Sequence, residues 1–229
     1  MIDVASNWER VRQQAAHAAH RAGRDPQAIR IIAASKTKPV EMIEQAVRAG
    51  ATDVGENYVQ EAAAKIARIG APVTWHMIGH LQRNKAARAV ELFSVIHTLD
   101  SVALADALAR QGERRGQPVR VLIEVNIAGE ATKHGVRAEQ VEELLAALAD
   151  RRWLLLDGLM TIPPPSASPE VARPHFSALR ELRERLCANA APNAPLRELS
   201  MGMSDDFVVA IEEGATMVRI GRAIFGERT

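Results

Sequence analysis

The sequence predicts a parallel (β/α)8 barrel of the TIM type. Three observations carry that expectation. Eight short β-rich runs alternate with longer alanine-rich helical runs. Four of the helical runs are followed by a glycine (Gly50, Gly70, Gly116 and Gly214), the residue that most readily supplies a left-handed helix stop. The rival, an open doubly wound sheet, uses fewer strands and a glycine-rich turn after its first strand. Here the first strand runs into Ser35-Lys36-Thr37-Lys38-Pro39, which has no glycine.

An opening helix over about 5–21 precedes the first strand and is expected to plug one end of the barrel. The first strand, 30–34, is a run of branched and small apolar residues, the pattern of a strand buried on both faces. Helix 41–49, strand 52–55, helix 58–69 and strand 74–78 follow, then helix 85–92, strand 94–99 and helix 102–115. Strand 119–125, helix 138–151, strand 154–159 and helix 169–190 continue the alternation. Strand 197–200, helix 205–213 and strand 216–220 complete it. The proline-rich stretch 162–169 reads as a stiff loop inside a single domain spanning 1–229.

Composition narrows the functional classes. The chain has 229 residues, 47% apolar and 25% charged, the balance of a globular protein with a sizeable core. A net charge of +1 with interspersed signs argues against nucleic-acid or membrane-surface partners held by bulk electrostatics. The lone Cys187 excludes a disulfide framework and a cysteine zinc site. No basic, apolar leader opens the chain and no apolar run has spanning length, so the expected location is the cytoplasm. The excess of arginine and alanine suggests a GC-rich bacterial genome.

Lys36 carries the sharpest chemical signal. The chain has only five lysines against 24 arginines, yet one stands at the end of a buried strand. A desolvated ammonium can lose its proton and attack a carbonyl to form a Schiff base, which a guanidinium cannot do. The plain alternative is a lysine that snorkels past the strand end to water. Read in order, the C-terminal strand ends give Lys36, Asn57, His80, Asp100, Asn126, Met160-Thr161, Ser200 and Arg219. In such a barrel these ends form the active face. Asp100-Ser101 reads as a helix cap and Asn126 as a turn residue.

The last two strands add a second signal. Ser200-Met201-Gly202-Met203-Ser204 follows one, and Gly221 opens a short helix after the other. Loops in these positions commonly bind phosphate. The alternative is that Ser204 only caps a helix. Asp205 and Asp206 should point away from a phosphate. A Schiff-base lysine and a phosphate cradle at one mouth fit either pyridoxal 5′-phosphate (PLP) or a phosphorylated sugar on a Schiff-base aldolase. Arg219 would face the pyridine nitrogen N1 of the former and keep it unprotonated.

At this point the chain closely resembles the pyridoxal phosphate homeostasis protein family, relatives of the barrel half of alanine racemase. The matching stretches are Ala34-Ser35-Lys36-Thr37-Lys38-Pro39, Gly55-Glu56-Asn57-Tyr58-Val59-Gln60-Glu61 and Trp75-His76-Met77-Ile78-Gly79-His80-Leu81-Gln82-Arg83-Asn84-Lys85. Gly158-Leu159-Met160-Thr161-Ile162, Leu199 to Asp206 and Val218 to Gly226 complete the set, in order over almost the whole chain. The resemblance implies PLP held as a Schiff base on Lys36, with Arg219 at N1. It implies Ser200 and the backbone around Gly221-Arg222, with Ser204, at the phosphate. Asn57 would lie beside the ring or its 3′-oxygen. His80 and Met160 belong to the motifs as further pocket residues without an assigned role. Some relatives have a hydroxyl residue where this chain has Arg222, which leaves backbone donors or the guanidinium to meet the phosphate.

Racemases of this fold add a tyrosine base from a C-terminal β-domain of the partner subunit. This chain ends just after its eighth predicted strand, and its only tyrosine is Tyr58. Without a base on the second face, two-sided proton exchange lacks a partner. An arginine at N1 also weakens the ring as an electron sink. The expectation is a monomeric carrier that buffers PLP or delivers it to PLP-dependent apoenzymes, with a weak amino-acid racemase as the alternative.

Overall fold

A computed structural model describes residues 2–70, 73–130, 132–188 and 190–227. The expected helix 169–190 runs past its observed end and includes position 189, which lies outside the described residues. Among the described residues, strands β1 (Arg30–Ala34), β2 (Asp53–Glu56), β3 (Thr74–Met77), β4 (Val95–Leu99) and β5 (Val119–Asn126) come first. β6 (Val136–Arg137), β7 (Leu154–Met160), β8 (Glu198–Ser200) and β9 (Met217–Ile220) follow. Eight of these form one parallel sheet in the order β4-β3-β2-β1-β9-β8-β7-β5, and β4 pairs with β5 to close it into a barrel. The two-residue β6 pairs with the end of β5. It was not legible in the sequence because two residues carry no periodicity.

The helices that wrap the barrel are α1 (Val4–Arg21), α2 (Val40–Arg48), α3 (Val59–Ile69), α4 (Ala86–Leu92) and α5 (Val102–Arg115). They continue with α6 (Val141–Leu148), α7 (Arg173–Cys187), α8 (Phe207–Glu212) and the single turn α9 (Arg222–Phe225). The opening helix shows why these segments fold as they do. Asp3 caps α1 by accepting from the Ser6 amide at 2.9 Å, an interaction whose loss typically costs about 1 kcal/mol. Val4, Trp8, Val11, Ala15 and Ala18 recur at three- and four-residue spacing and are buried. That face packs on α2, α8 and α9, and Asn7 donates to the Ile224 carbonyl at 3.1 Å. At the end of α5, Gly116 has φ 67° and closes the helix in the left-handed region. No helix among the described residues is long and apolar enough to cross a membrane.

Most apolar side chains fill the layer between strands and helices. A smaller cluster of Val95, Leu122 and Met160 is separate from it. The barrel interior is partly polar. His97 on β4 meets Ser200 on β8, strands that are not neighbours, so their side chains meet across the interior.

Candidate functional site

The end of β1 delivers Lys36 through a tightly held turn. The Ser35 amide donates to the Gly55 carbonyl at 2.9 Å, and the Lys38 amide returns to the Ser35 carbonyl at 3.0 Å. Beneath the turn, Nζ of the buried Lys65 donates to the Ser35 carbonyl at 2.8 Å and to Glu56 and Glu61, each at 2.6 Å. Glu61 also accepts from the Thr37 amide at 2.6 Å. Thr37 has φ 63°, an unfavourable conformation for a β-branched residue. One carboxylate therefore holds both the buried lysine and the strained residue that follows Lys36. Burial raises the Glu56 carboxyl above its ordinary value, against the lowering effect of Lys65 and Ser35.

Six of the residues singled out in the sequence line one cavity of about 450 Å³: Lys36, Asn57, Ser204, Arg219, Gly221 and Arg222. Gly221 matters for space. A Cβ there would stand 3.3 Å from the Ala34 carbonyl oxygen and 3.7 Å from the Ala34 Cβ, filling the floor between β9 and β1. Oδ1 of Asn57 is buried without a hydrogen-bond partner, so an acceptor in the wall awaits a donor. Lys38, Asp205 and Ile162 join the lining.

Arg219 forms part of the cavity floor and is only 4% exposed. Nη1 donates to the Ser200 carbonyl at 2.7 Å and to its hydroxyl at 2.6 Å, and Nη2 donates to the Thr161 carbonyl at 2.8 Å. Burial pulls its pKa down to about 10, opposed by the charges of Glu124 and Asp206, so it remains a cation at neutral pH.

Ser200 does not reach the cavity, and the expectation that it holds a phosphate is corrected here. Its side chain is 0% exposed and is bonded on both sides, to Arg219 and to Nδ1 of His97 at 2.9 Å. Nε2 of His97 lies 2.9 Å from Nδ1 of His76, and Nε2 of His76 lies 2.8 Å from Oδ1 of Asp53. Burial lowers the pKa of both histidines, that of His97 well below its ordinary value. With both imidazoles neutral and Asp53 ionised, one proton order satisfies every link. Arg219 donates to Ser200, Ser200 to His97, His97 to His76, and His76 to Asp53. The hydroxyl proton of Ser200 is thus committed away from the cavity.

The remaining sequence candidates divide. Met160 is 0% exposed in the small apolar cluster and does not line the cavity. His80 is exposed and lines a second cavity, where it stacks on His134. Asp206 is engaged within its own loop, accepting from the Met203 amide at 2.6 Å. Asp205 instead faces the cavity and pairs with Arg222, whose guanidinium also meets Glu227 at 3.2 Å. Asn126 is a turn residue, bonded to Glu130 in both directions. Ser101 alone caps α5, while Asp100 faces His80 at 3.5 Å. Glu124, missed in the sequence, is 8% exposed, and burial pushes its carboxyl up to about 7, with Asp100 adding to the effect and Arg219 opposing it. The signal available for Glu124 and His97 was a polar residue inside an otherwise apolar strand.

Residues 3–229 match the model of the alanine racemase N-terminal domain. The pyridoxal phosphate homeostasis protein of Pasteurella multocida is 42% identical over 230 residues, covering 99% of this chain and 98% of its own. The chain belongs to the pyridoxal phosphate homeostasis protein family. Among solved structures, an unknown protein from Bifidobacterium adolescentis matches with a TM-score of 0.91 and 35% identity, covering 97% of this chain and 94% of its own. PipY of Synechococcus elongatus, solved with PLP bound, matches with a TM-score of 0.82 and 36% identity, covering 93% of this chain and 100% of its own. The family therefore carries the closed eight-stranded barrel seen here, and its cavity at the C-terminal strand ends is where ligands of such barrels bind.

Proposed function

We propose that this chain binds PLP in the cavity above Arg219 and serves in PLP homeostasis as a carrier. One observation carries the reading. The amine of Lys36, the hydroxyl of Ser204 and the guanidinium of Arg219 meet in one cavity, in a chain 36% identical to a protein solved with PLP bound. The cavity fits such a ligand. It offers an amine for an aldehyde, an unpartnered amide oxygen at Asn57 for a ring hydroxyl, and open space over Gly221.

Bound PLP supplies an electrophilic aldehyde, a pyridine ring and a phosphate. In this reading Lys36 holds the aldehyde and Arg219 presents positive charge toward the pyridine nitrogen. Ser204 and the backbone at Gly221 hold the phosphate, and Ser200 acts through Arg219 alone. Arg222 is already shared by Asp205 and Glu227, so its part is to neutralise Asp205 beside the phosphate.

The carrier reading rests on Arg219 and Tyr58. A cation at the pyridine nitrogen keeps the ring a poor electron sink. Tyr58, the chain's only tyrosine, is 59% exposed and belongs to the neighbouring cavity. The protein would act as a monomer in the cytoplasm and pass PLP to apoenzymes that depend on it. The test is PLP titration in deuterated water with alanine present. The reading expects saturable PLP binding and α-proton exchange no faster than with free PLP. Exchange well above that rate would make the protein an enzyme.

A further inference from the structure

A second cavity, of about 530 Å³, opens beside the first and shares Asn57, Ile78 and Ile162 with it. His80, His134 and Glu124 line it. Three segments converge at its edge. His80 follows β3, Asp100 follows β4, and His134 stands in the loop between β5 and β6. One ligand atom from each lies within 4.8 Å of the other two. The two imidazoles stack with centroids 3.9 Å apart and planes 10° apart. Nδ1 of His80 lies 3.5 Å from Oδ2 of Asp100, too long for a good hydrogen bond. Behind them Glu124 is 8% exposed, and its Oε2 is buried without a partner.

Ordinary pairing leaves part of this arrangement unexplained. An ion pair of His80 with Asp100 gives His134 no role. That pair also leaves Oε2 of Glu124, in the same cavity wall, without a partner. One ion among His80, Asp100 and His134 gives all three a role.

We propose that His80, Asp100 and His134 bind one divalent transition-metal ion of the zinc class, with Glu124 as the carboxylate behind it. Two imidazoles and a carboxylate favour zinc, cobalt or nickel over magnesium or calcium, which prefer all-oxygen sites. Three protein ligands leave a coordination position open toward the cavity. Ligand atoms around a tetrahedral zinc lie about 3.4 Å apart, as follows from zinc–nitrogen bonds of about 2.0–2.1 Å. Coordination would require the two rings, now parallel, to turn so that both lone pairs meet one ion and the spacing of up to 4.8 Å closes. The ion would tie the loop that carries His134 to the ends of β3 and β4. This site stands independently of the PLP reading.

The test uses untagged, chelator-treated protein titrated with Co²⁺ and then with Zn²⁺. The expected result is one Co²⁺ per chain with visible d–d absorption, displaced mole for mole by Zn²⁺. His134→Ala and Asp100→Asn should each weaken binding by more than the about 10–100-fold that an outer-shell change costs, and Glu124→Gln should fall within that range. His20→Ala, on the exposed end of α1, should change nothing. Absence of stoichiometric Co²⁺ binding, or binding unchanged in both ligand variants, would overturn the proposal. If His134→Ala does not fold, Asp100→Asn decides. Metal binding without PLP binding would overturn only the cofactor reading, and PLP binding without metal only this one.

Discussion

The hydroxyl of Ser200 accepts a hydrogen bond from Nη1 of Arg219 at 2.6 Å. That contact makes a residue from a phosphate-loop motif into a support for the cation on the cavity floor. It also starts a donor chain that crosses the barrel through His97 and His76 to Asp53. The positive end lies at the cavity and the negative end at the start of β2, so the buried charges are joined by oriented hydrogen bonds.

Ser200→Ala tests this placement directly. Removing the hydroxyl leaves a buried guanidinium N–H and a buried imidazole nitrogen unpaired, which should cost about 1–3 kcal/mol in urea unfolding. PLP affinity should fall less than in Ser204→Ala, measured by titration in both variants. A larger loss for Ser200→Ala would return Ser200 to the phosphate.

The histidines set an acid limit. His97 is held neutral by burial, with a pKa well below its ordinary 6.5. A depressed histidine contributes stability that is present above the unfolded value and lost as pH falls below it. Stability of the wild type should therefore decline as pH drops below about 6.5. In His97→Asn that part of the slope should shrink, even though the variant starts less stable. Denaturant midpoints across the acid range give the comparison, and parallel slopes would contradict a neutral buried His97.

Glu124 works in the opposite direction. Its folded pKa, raised to about 7, means that it folds best protonated. The associated stability is complete below its unfolded value and is lost as pH rises through 7. Glu124→Gln should be more stable than wild type by about 1–3 kcal/mol in metal-free buffer at mildly alkaline pH. The difference should vanish below about pH 4.5. Thermal unfolding at the two ends of this range is the check, and a constant difference would show that the carboxylate is not the cause.

The clamp under Lys36 should show strong coupling. Lys65→Met leaves Glu56, which is 0% exposed, without its cation and should cost about 3–5 kcal/mol. Adding Glu56→Gln should recover much of that loss. Additive losses in the double-mutant cycle would mean that the pair is not energetically linked.

The barrel was legible because short β-rich runs alternate with longer helical runs, four of them ended by a glycine, a pattern that survives without knowledge of neighbours. Lys36, Arg219 and Gly221 were legible for the same reason: position at a strand end fixes their side of the barrel. Ser200 was misread because motif position does not reveal direction. It is the last residue of β8 and faces inward, toward β4, while Ser204 in the following loop reaches the cavity. His97 meets partners on β3 and β8, and Glu124 shares a cavity wall with His80 and His134. No sequence spacing relates β4 to β8, whose side chains meet only across the interior of the closed barrel. The lysine clamp under Thr37 was hidden because Glu61 serves both Lys65, one helical turn away, and the Thr37 amide, 24 residues away.

Attachment of PLP to Lys36 is tested by absorption spectroscopy of the PLP-loaded protein before and after borohydride reduction, followed by peptide mass mapping. A Schiff base on Lys36 should give a visible band that bleaches on reduction and leaves one pyridoxyl group on the peptide containing Lys36. In Lys36→Ala the band should be absent from a protein that still unfolds in one cooperative transition. A protein that stays colourless with added PLP, or a pyridoxyl group fixed on another lysine, would contradict the account.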